Sequence, residues 1–324
     1  MKLTDILICP LCGTGLTRAP EEPGTLRCGE GHAYDLSRAG YVNLLPPGRG
    51  RNKKTGDERA MIRARAAFLR RGFYDPLDRA VRDLLKDSLP DAFESGVTVL
   101  CDMGAGEGTH TVKIAAGLSE ASGRGVLALG FDASKHGAES GCRYARSLGL
   151  LADADGEHPG DGSARVVCLP ANLFHLPVRS GCADAALSLF APIAWEEAAR
   201  ILKPDGLFLA VSSGREHLLA LRRVLYDEVR LTDFRPEPPD GAPFALLNRI
   251  PLEFPLVLEG QEDIQNLFTM TPFFHRVPEP GRERLAALES LTDTARMELS
   301  LWRRLPVEAP SGDRPSEETP DEEA

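Results

Sequence analysis

The sequence predicts an α/β protein: a parallel, doubly wound sheet with a small metal-binding knuckle ahead of it. Three observations carry this. Short β-branched or apolar runs alternate with helical segments from Val97 to Ser212. The first run ends in an acid and a loop with glycine at every second position, Asp102-Met-Gly104-Ala-Gly106-Glu-Gly108. Far upstream, Cys9-Pro-Leu-Cys12 and Cys28-Gly-Glu-Gly-His32 have the spacing of a metal site.

The knuckle comes first in the chain. Its pattern is C-x2-C, fifteen residues, then C-x3-H. Two residues between sulfurs let both thiolates reach one ion, and tetrahedral Zn2+ accepts a Cys3His set. A redox C-x-x-C would stand at a helix start inside a sheet domain, whereas this pair precedes a Gly- and Pro-rich segment. Cys9, Cys12, Cys28 and His32 are therefore expected to hold a structural zinc. A closed four-ligand site leaves no position for substrate, so its expected work is folding and recognition. Cys101, Cys142, Cys168 and Cys182 are scattered, mostly in or beside apolar runs, and read as small core residues.

Charge is distributed unevenly along the 324 residues, whose net charge is −10. From Pro306 onward seven acids face one Arg in a Pro-, Ser- and Glu-rich context, which predicts a disordered acidic tail. Between Arg49 and Arg71 nine Lys or Arg face only Asp57 and Glu58. A charge run is usually a solvated helix face; beside a knuckle it also suits a phosphate-contacting surface. No apolar run reaches the length of a membrane span, and no signal peptide precedes the knuckle. Seven cysteines with metal spacing fit a reducing compartment, so a cytoplasmic location is expected.

The glycine loop follows the strand Val97 to Asp102 and opens a helix at Thr109. Glycine lets main chain approach a ligand with no Cβ in the way. Dinucleotide folds use G-x-G-x-x-G to hold a pyrophosphate at a helix N-terminus. Here the order is D-x-G-x-G-x-G, and an acid before the glycines repels a pyrophosphate but suits a ligand carrying an ammonium and a sulfonium. The loop resembles the S-adenosylmethionine site of Rossmann-like methyltransferases; the bland alternative is a tight strand-to-helix turn. A second strand, Val126 to Asp132, ends in an acid placed to accept ribose hydroxyls, or to cap the helix starting near Ser134. Arg165 to Leu169 is a third strand, with the adenine edge expected near Ala171-Asn172. Asp184 to Phe190 is a fourth, and Leu207 to Ser212, after the helix stop at Leu202-Lys-Pro-Asp-Gly206, a fifth. Leu151 to Ala164 reads as an inserted loop, Arg249 to Leu258 as an antiparallel strand, and Gln261 to Phe268 as a helix.

Further pieces join the knuckle and the loop. They are Gly40-Tyr-Val-Asn-Leu-Leu45, Gly56-Asp57, Arg63-Ala-Arg65-Ala-Ala-Phe-Leu, Gly72-Phe-Tyr74-Asp-Pro76-Leu, Asp132-Ala-Ser-Lys135, Leu176-Pro177, Phe190-Ala-Pro192, Leu202-Lys-Pro, Gly214-Arg-Glu-His217-Leu and Met270-Thr-Pro-Phe. Together they resemble the bacterial ribosomal RNA guanine-N1 methyltransferases, which modify a hairpin loop in large-subunit (23S) RNA. The likeness runs over roughly residues 5 to 305. It implies a Rossmann-like class I methyltransferase sheet with an N-terminal zinc ribbon. The expected layout is a ribbon at 1–36, a basic helical linker at 37–95, the S-adenosylmethionine-dependent domain at 96–305 and the acidic tail at 306–324. One departure is Thr109-His110 after Gly108, where members often carry aromatic residues.

By the same resemblance, Tyr74, Gly108, Thr109 and His217 lie at the methyl donor, with Asp102, Gly104, Gly106 and Asp132 completing the pocket; Asn172, after the third strand, is the expected adenine contact. Read without it, Tyr74 is a half-buried core aromatic and His217 starts the helix expected over Leu218 to Val229. Guanine N1 carries a proton at neutral pH, so attack on a methyl group needs a base or a stabilised negative O6. Asp57 and His217 are the candidate bases, and Arg65 the candidate for charge at O6. Phe190-Ala-Pro-Ile stands where amino-methylating enzymes carry Asn/Asp-Pro-Pro-Tyr/Phe, which favours a ring nitrogen or another acceptor over an exocyclic amine. Large-subunit rRNA is the expected partner, with a homodimer left open. Two other readings remain: a small-molecule methyltransferase, on a quinone or antibiotic precursor, and a zinc-dependent nucleic-acid-binding protein that has lost activity.

Overall fold

The protein is described by a computed structural model that covers residues 1–46, 58–89, 96–154, 156, 162–232 and 234–306. Asp57, the basic residues Arg49 to Lys54 before it and the tail from 307 onward lie outside the described residues.

A seven-stranded sheet organises the chain. β4 (Val97–Met103), β5 (Gly125–Asp132), β6 (Ala164–Pro170), β7 (Ala183–Leu189) and β8 (Leu202–Ser213) are the five expected strands. They stand in the order β6-β5-β4-β7-β8 with every pairing parallel. The order reverses between β4 and β7, which opens a crevice at the carboxyl ends of these strands, where ligands of open α/β sheets bind. The sheet continues through β10 (Ser290–Arg304) to β9 (Phe244–Glu259), both antiparallel to their neighbours. β9 is the expected antiparallel strand, longer at both ends. β10 went unforeseen because Asp293 stands on its buried face and interrupts the apolar period of Leu291, Ala295, Met297, Leu299 and Leu301.

Residues of each parallel strand alternate between two buried faces, as a covered sheet requires. Leu100, Ala128, Val166 and Leu187 face one core with α2 (Asp75–Ser88) and α3 (Thr109–Ser122). Val99, Leu127, Val167 and Ala186 face the other with α4 (Lys135–Ser147) and α5 (Trp195–Ile201). The small N-terminal sheet, β1 (Leu16–Ala19), β2 (Glu22–Cys28) and β3 (Ala33–Asp35), joins this second face through Leu7, Leu16 and Leu26. Leu7 bridges Val178, and the Ile8 N–H donates to the Pro177 carbonyl at 2.9 Å.

The helices expected as a linker are part of the core. α1 (Arg59–Arg70) lies against α7 (Gln261–Met270), and α2 against α3. Leu77, Val81 and Leu85, at helical spacing, are fully buried, each contributing roughly 1.5–3 kcal/mol by leaving water. α6 (Leu219–Leu225) ends four residues short of the expected Val229, and α8 (Glu279–Ala286) leads into β10. Leu151, at the start of the expected inserted loop, bridges Val166, and much of the rest of that loop lies outside the described residues.

Candidate active site and metal centre

The metal centre is built by two tight turns facing each other. The Leu11 N–H points at Cys9 Sγ, 3.4 Å away, and the turn is closed by Gly13 N–H donating to the Cys9 carbonyl. The second turn brings Cys28 Sγ and His32 Nδ1 to 3.4 Å. Cys12 Sγ and Cys28 Sγ are 3.6 Å apart, as are Cys9 Sγ and His32 Nδ1. All four ligand atoms lie within 4.8 Å of one another. A tetrahedron with Zn–S near 2.3 Å and Zn–N near 2.0 Å has edges of roughly 3.5–3.8 Å, so the donor set fits zinc. Tyr34 Oη stands 3.0 Å from Cys9 Sγ, an outer contact of the kind that orients a thiolate.

The second site is a cavity of about 730 Å3 at the carboxyl ends of β4, β5 and β7. Asp102, Gly104, Ala105 and Gly106 form one wall, and Tyr74, His110 and His217 another. Leu173, Phe190 and Met270 to Phe273 line the rest. Gly104 is required by contact: at φ +103° an added Cβ would lie 2.3 Å from Ala191 Cβ. Gly108 serves packing behind the loop, since a Cβ there would lie 2.7 Å from Cys168 Sγ and 2.8 Å from Gly141 Cα.

Asp102 Oδ2 accepts the Thr111 hydroxyl at 2.5 Å, whereas Oδ1 is buried with no partner among the described residues. Burial pushes this carboxyl up to about 6, against the opposing pull of Thr111 and His110. An uncompensated buried carboxylate oxygen is costly and calls for a cationic partner. Asp132 spends Oδ2 on the Gly106 N–H at 3.1 Å and Oδ1 on the Ser134 N–H at 2.7 Å. The helix cap after β5 is Ser134, whose hydroxyl accepts from the Gly137 N–H at 3.2 Å.

His217 is fixed from outside the expected strands. Its Nδ1 accepts the Arg296 N–H of β10 at 3.1 Å, which puts the ring proton on Nε2. Nε2 stands 3.4 Å from the Tyr74 hydroxyl. Burial pushes His217 down to about 4, so it is neutral at pH 7. Burial, helped by the Asp293 charge, pushes the Tyr74 phenol well above its usual range. Phe190, left-handed at φ 55° and 44% exposed, meets Tyr74 edge-on and lies 6.0 Å from the His217 ring. A left-handed aromatic costs roughly 1–3 kcal/mol and is kept where the surroundings require it.

Of the sequence-predicted residues, Tyr74, Asp102, Gly104, Gly106, Asp132, Arg65 and His217 share the cavity wall. Gly108 and Thr109 stand behind it: the buried Thr109 hydroxyl donates to Glu107 Oε2 at 2.6 Å. Asn172 is exposed, its Oδ1 accepting the Phe174 N–H at 3.2 Å, and Leu173 takes the wall position instead. Such a turn uses a polar residue for its own backbone and turns the next side chain inward. Asp57 lies outside the described residues. Sequence reasoning missed His110, Phe190 as a wall and the Thr271 to His275 segment, although all three lie in or beside the motifs quoted above.

Residues 7–53 match the family described as the RlmA N-terminal zinc ribbon. A protein of Micromonospora griseorubida, assigned as a 23S rRNA (guanine-N(1)-)-methyltransferase, is 34% identical over 225 residues, which are 66% of this chain and 68% of that protein. The 23S rRNA (guanine(748)-N(1))-methyltransferase of Streptomyces fradiae is 34% identical over 66% of each chain. A Bacillus subtilis protein of the same assignment as the first is 31% identical over 68% of each.

Proposed function

Since the chain belongs to the 23S rRNA guanine-N1 methyltransferase family, we propose that it transfers a methyl group from S-adenosylmethionine to N1 of a guanine in a large-subunit rRNA hairpin loop. One observation carries the donor side: the buried, unpartnered Oδ1 of Asp102 at the cavity's glycine wall. It is a place for a cation, and the donor's ammonium supplies one. The Asp132 carboxylate is placed for ribose hydroxyls, and the Tyr74–His217 pair, both neutral, gives the wall beside it. When bound, S-adenosylmethionine supplies an electrophilic methyl group on a sulfonium.

What the chain's own residues contribute is alignment and proton management. A flipped guanine needs a flat, apolar surface, which Phe190 offers at the cavity mouth. Arg65 lies against the Gly106 turn and donates to the Met270 carbonyl at 3.1 Å, within the same cavity, where a guanidinium steadies negative charge at O6. His217 holds its proton on Nε2 and uses Nδ1 for Arg296, so we assign it to donate rather than to take the N1 proton. Asp57 is then the remaining candidate base.

The zinc ribbon and the exposed Arg59 and Arg63 of α1 are assigned to the RNA. We place the reaction in the cytoplasm, where large-subunit RNA is found; no helix among the described residues is long and apolar enough to cross a membrane. The test offers the zinc-loaded chain labelled S-adenosylmethionine with unmodified ribosomal RNA or with a small-molecule extract. Label in RNA supports this reading, and label only in the extract replaces it with the small-molecule alternative.

A further inference from the structure

Three carboxylates and one imidazole surround the glycine end of the cavity, and their existing partners sort them. Glu107 is occupied by the Thr109 hydroxyl and the Thr109 N–H, at 2.6 and 3.3 Å. Both oxygens of Asp132 hold backbone N–H groups. Asp102 Oδ1 has no partner. His110, on the first turn of α3, gives Nδ1 to Asp78 Oδ1 at 2.5 Å. Its ring lines the cavity 6.2 Å from Tyr74, and Nε2 has no hydrogen bond among the described residues. Because Asp78 accepts from Nδ1, Nε2 carries a hydrogen in the charged form of the ring that this carboxylate favours, so the cavity wall presents one open anion and, in that form, one open N–H donor.

We propose that His110, braced by Asp78, binds the carboxylate of the amino-acid end of S-adenosylmethionine while Asp102 Oδ1 binds its ammonium. This assignment rests on the methyl-donor reading above and adds to it a residue that fixes which donor is accepted. An α-amino acid carries both charges on one carbon, so its site needs an acid and a base facing one small volume. Asp102 and His110 stand close enough for their charges to act on each other. Burial disfavours the charged ring, yet Asp78 beside it, with Glu107 and Asp102 beyond, raises His110 above its ordinary value. Asp78 is itself buried on α2, where its neighbours Leu77 and Val81 are apolar. An ion pair between two helices that already join through apolar contacts is a weak source of stability. A carboxylate ligand gives it a purpose, because a charged N–H donor makes a strong, short hydrogen bond to an anion.

Arg65 is the competing cation, since it too lines the cavity, but it already donates to the Met270 carbonyl. The experiment is calorimetric titration of the zinc-loaded full chain, without RNA, using S-adenosylmethionine and its decarboxylated analogue, which keeps the ammonium and the sulfonium. The wild-type chain is expected to prefer the carboxylated ligand by about tenfold or more, a single hydrogen-bonded charge being worth that much. His110→Gln is expected to remove the preference while holding the decarboxylated ligand within about twofold of wild type. Asp78→Asn is expected to reduce the preference partway, and it carries the test if His110→Gln does not fold. Equal binding of the two ligands by the wild-type chain, or a preference lost in Arg65→Gln but kept in His110→Gln, overturns the assignment. Binding of neither ligand by the wild-type chain overturns the donor reading itself, so the two failures are distinct.

Discussion

His217 Nδ1 accepts the backbone N–H of Arg296 at 3.1 Å, tying the loop after β8 to a strand 79 residues further along the chain. That bond decides the chemistry of the ring. With Nδ1 occupied the proton sits on Nε2, beside the Tyr74 hydroxyl. The cavity is thereby walled by two neutral polar groups, a surface that tolerates a sulfonium on one side and an aromatic base on the other. Asp293, three residues after the Ser290 start of the same strand, accepts the Ala220 and Leu221 N–H groups at 3.1 and 2.7 Å and anchors the helix after His217.

The first prediction concerns acid stability. His217 titrates at about 4 in the folded chain against an ordinary 6.5, because burial disfavours its charge. The unfolded chain therefore takes the proton first as pH falls. Its contribution is intact above about 6.5 and is lost progressively down to about 4, amounting to roughly 3 kcal/mol at the end. Urea midpoints measured from pH 7 to pH 4 are expected to fall less steeply in His217→Gln than in wild type.

Asp102 predicts a conflict between stability and binding. Its carboxyl is held at about 6 by burial, above the ordinary 3.8, so the folded chain keeps that proton longer than the unfolded one. Stability is lost as pH rises from about 4 through 6, by up to roughly 3 kcal/mol. Asp102→Asn is expected to raise the melting temperature of the ligand-free chain at pH 7, at about 2–4 °C per kcal/mol recovered. The same variant is expected to bind S-adenosylhomocysteine at least about tenfold more weakly. Calorimetry and a thermal melt on one preparation check both signs.

Much of this was legible in the sequence. The alternation of apolar runs and helices gave the parallel strands β4 to β8, and the glycine spacing after Asp102 marked the crevice. The knuckle could be read because metal geometry leaves few spacings open. β10 could not, since Asp293 on its buried face breaks the apolar period, and with it went the partner that sets the His217 tautomer. Asn172 is exposed while Leu173 beside it lines the cavity, because successive residues at a strand end face opposite ways and sequence does not say which faces inward. His110 sat inside the motif, yet its pairing with Asp78 joins two helices and appears only once they pack.

Phe190 predicts a separation of binding from turnover. Its ring lies at the cavity mouth in a left-handed conformation, beside Tyr74 and His217. Phe190→Ala is expected to leave S-adenosylhomocysteine affinity within about threefold, while losing at least about a hundredfold in kcat/KM for RNA, if the ring holds the target base. Single-turnover methylation with saturating donor separates the two.

The metal centre predicts a folding role with no part in the reaction. One zinc ion per chain is expected by elemental analysis, with Cys28→Ser reducing it. Leu7, Leu16 and Leu26 join the core on the α4 side of the sheet, so loss of metal is expected to expose that face and to promote aggregation. Donor binding at the carboxyl edge of β4 is expected to persist in the fraction that stays soluble.

The exposed arginines of α1 predict a salt signature. Arg59→Glu with Arg63→Glu is expected to weaken rRNA binding and to lower the slope of log affinity against log salt by about one to two, with donor affinity unchanged. Filter binding across a salt series measures it.

The central claim is methyl transfer to guanine N1 in large-subunit RNA. Its most direct test is nucleoside mass spectrometry of 23S rRNA, stripped of its own modifications, after incubation with the zinc-loaded chain and labelled S-adenosylmethionine. The account predicts labelled 1-methylguanosine from one hairpin loop. Label in another nucleoside, or RNA left unlabelled by a chain that binds both zinc and the donor, would contradict it.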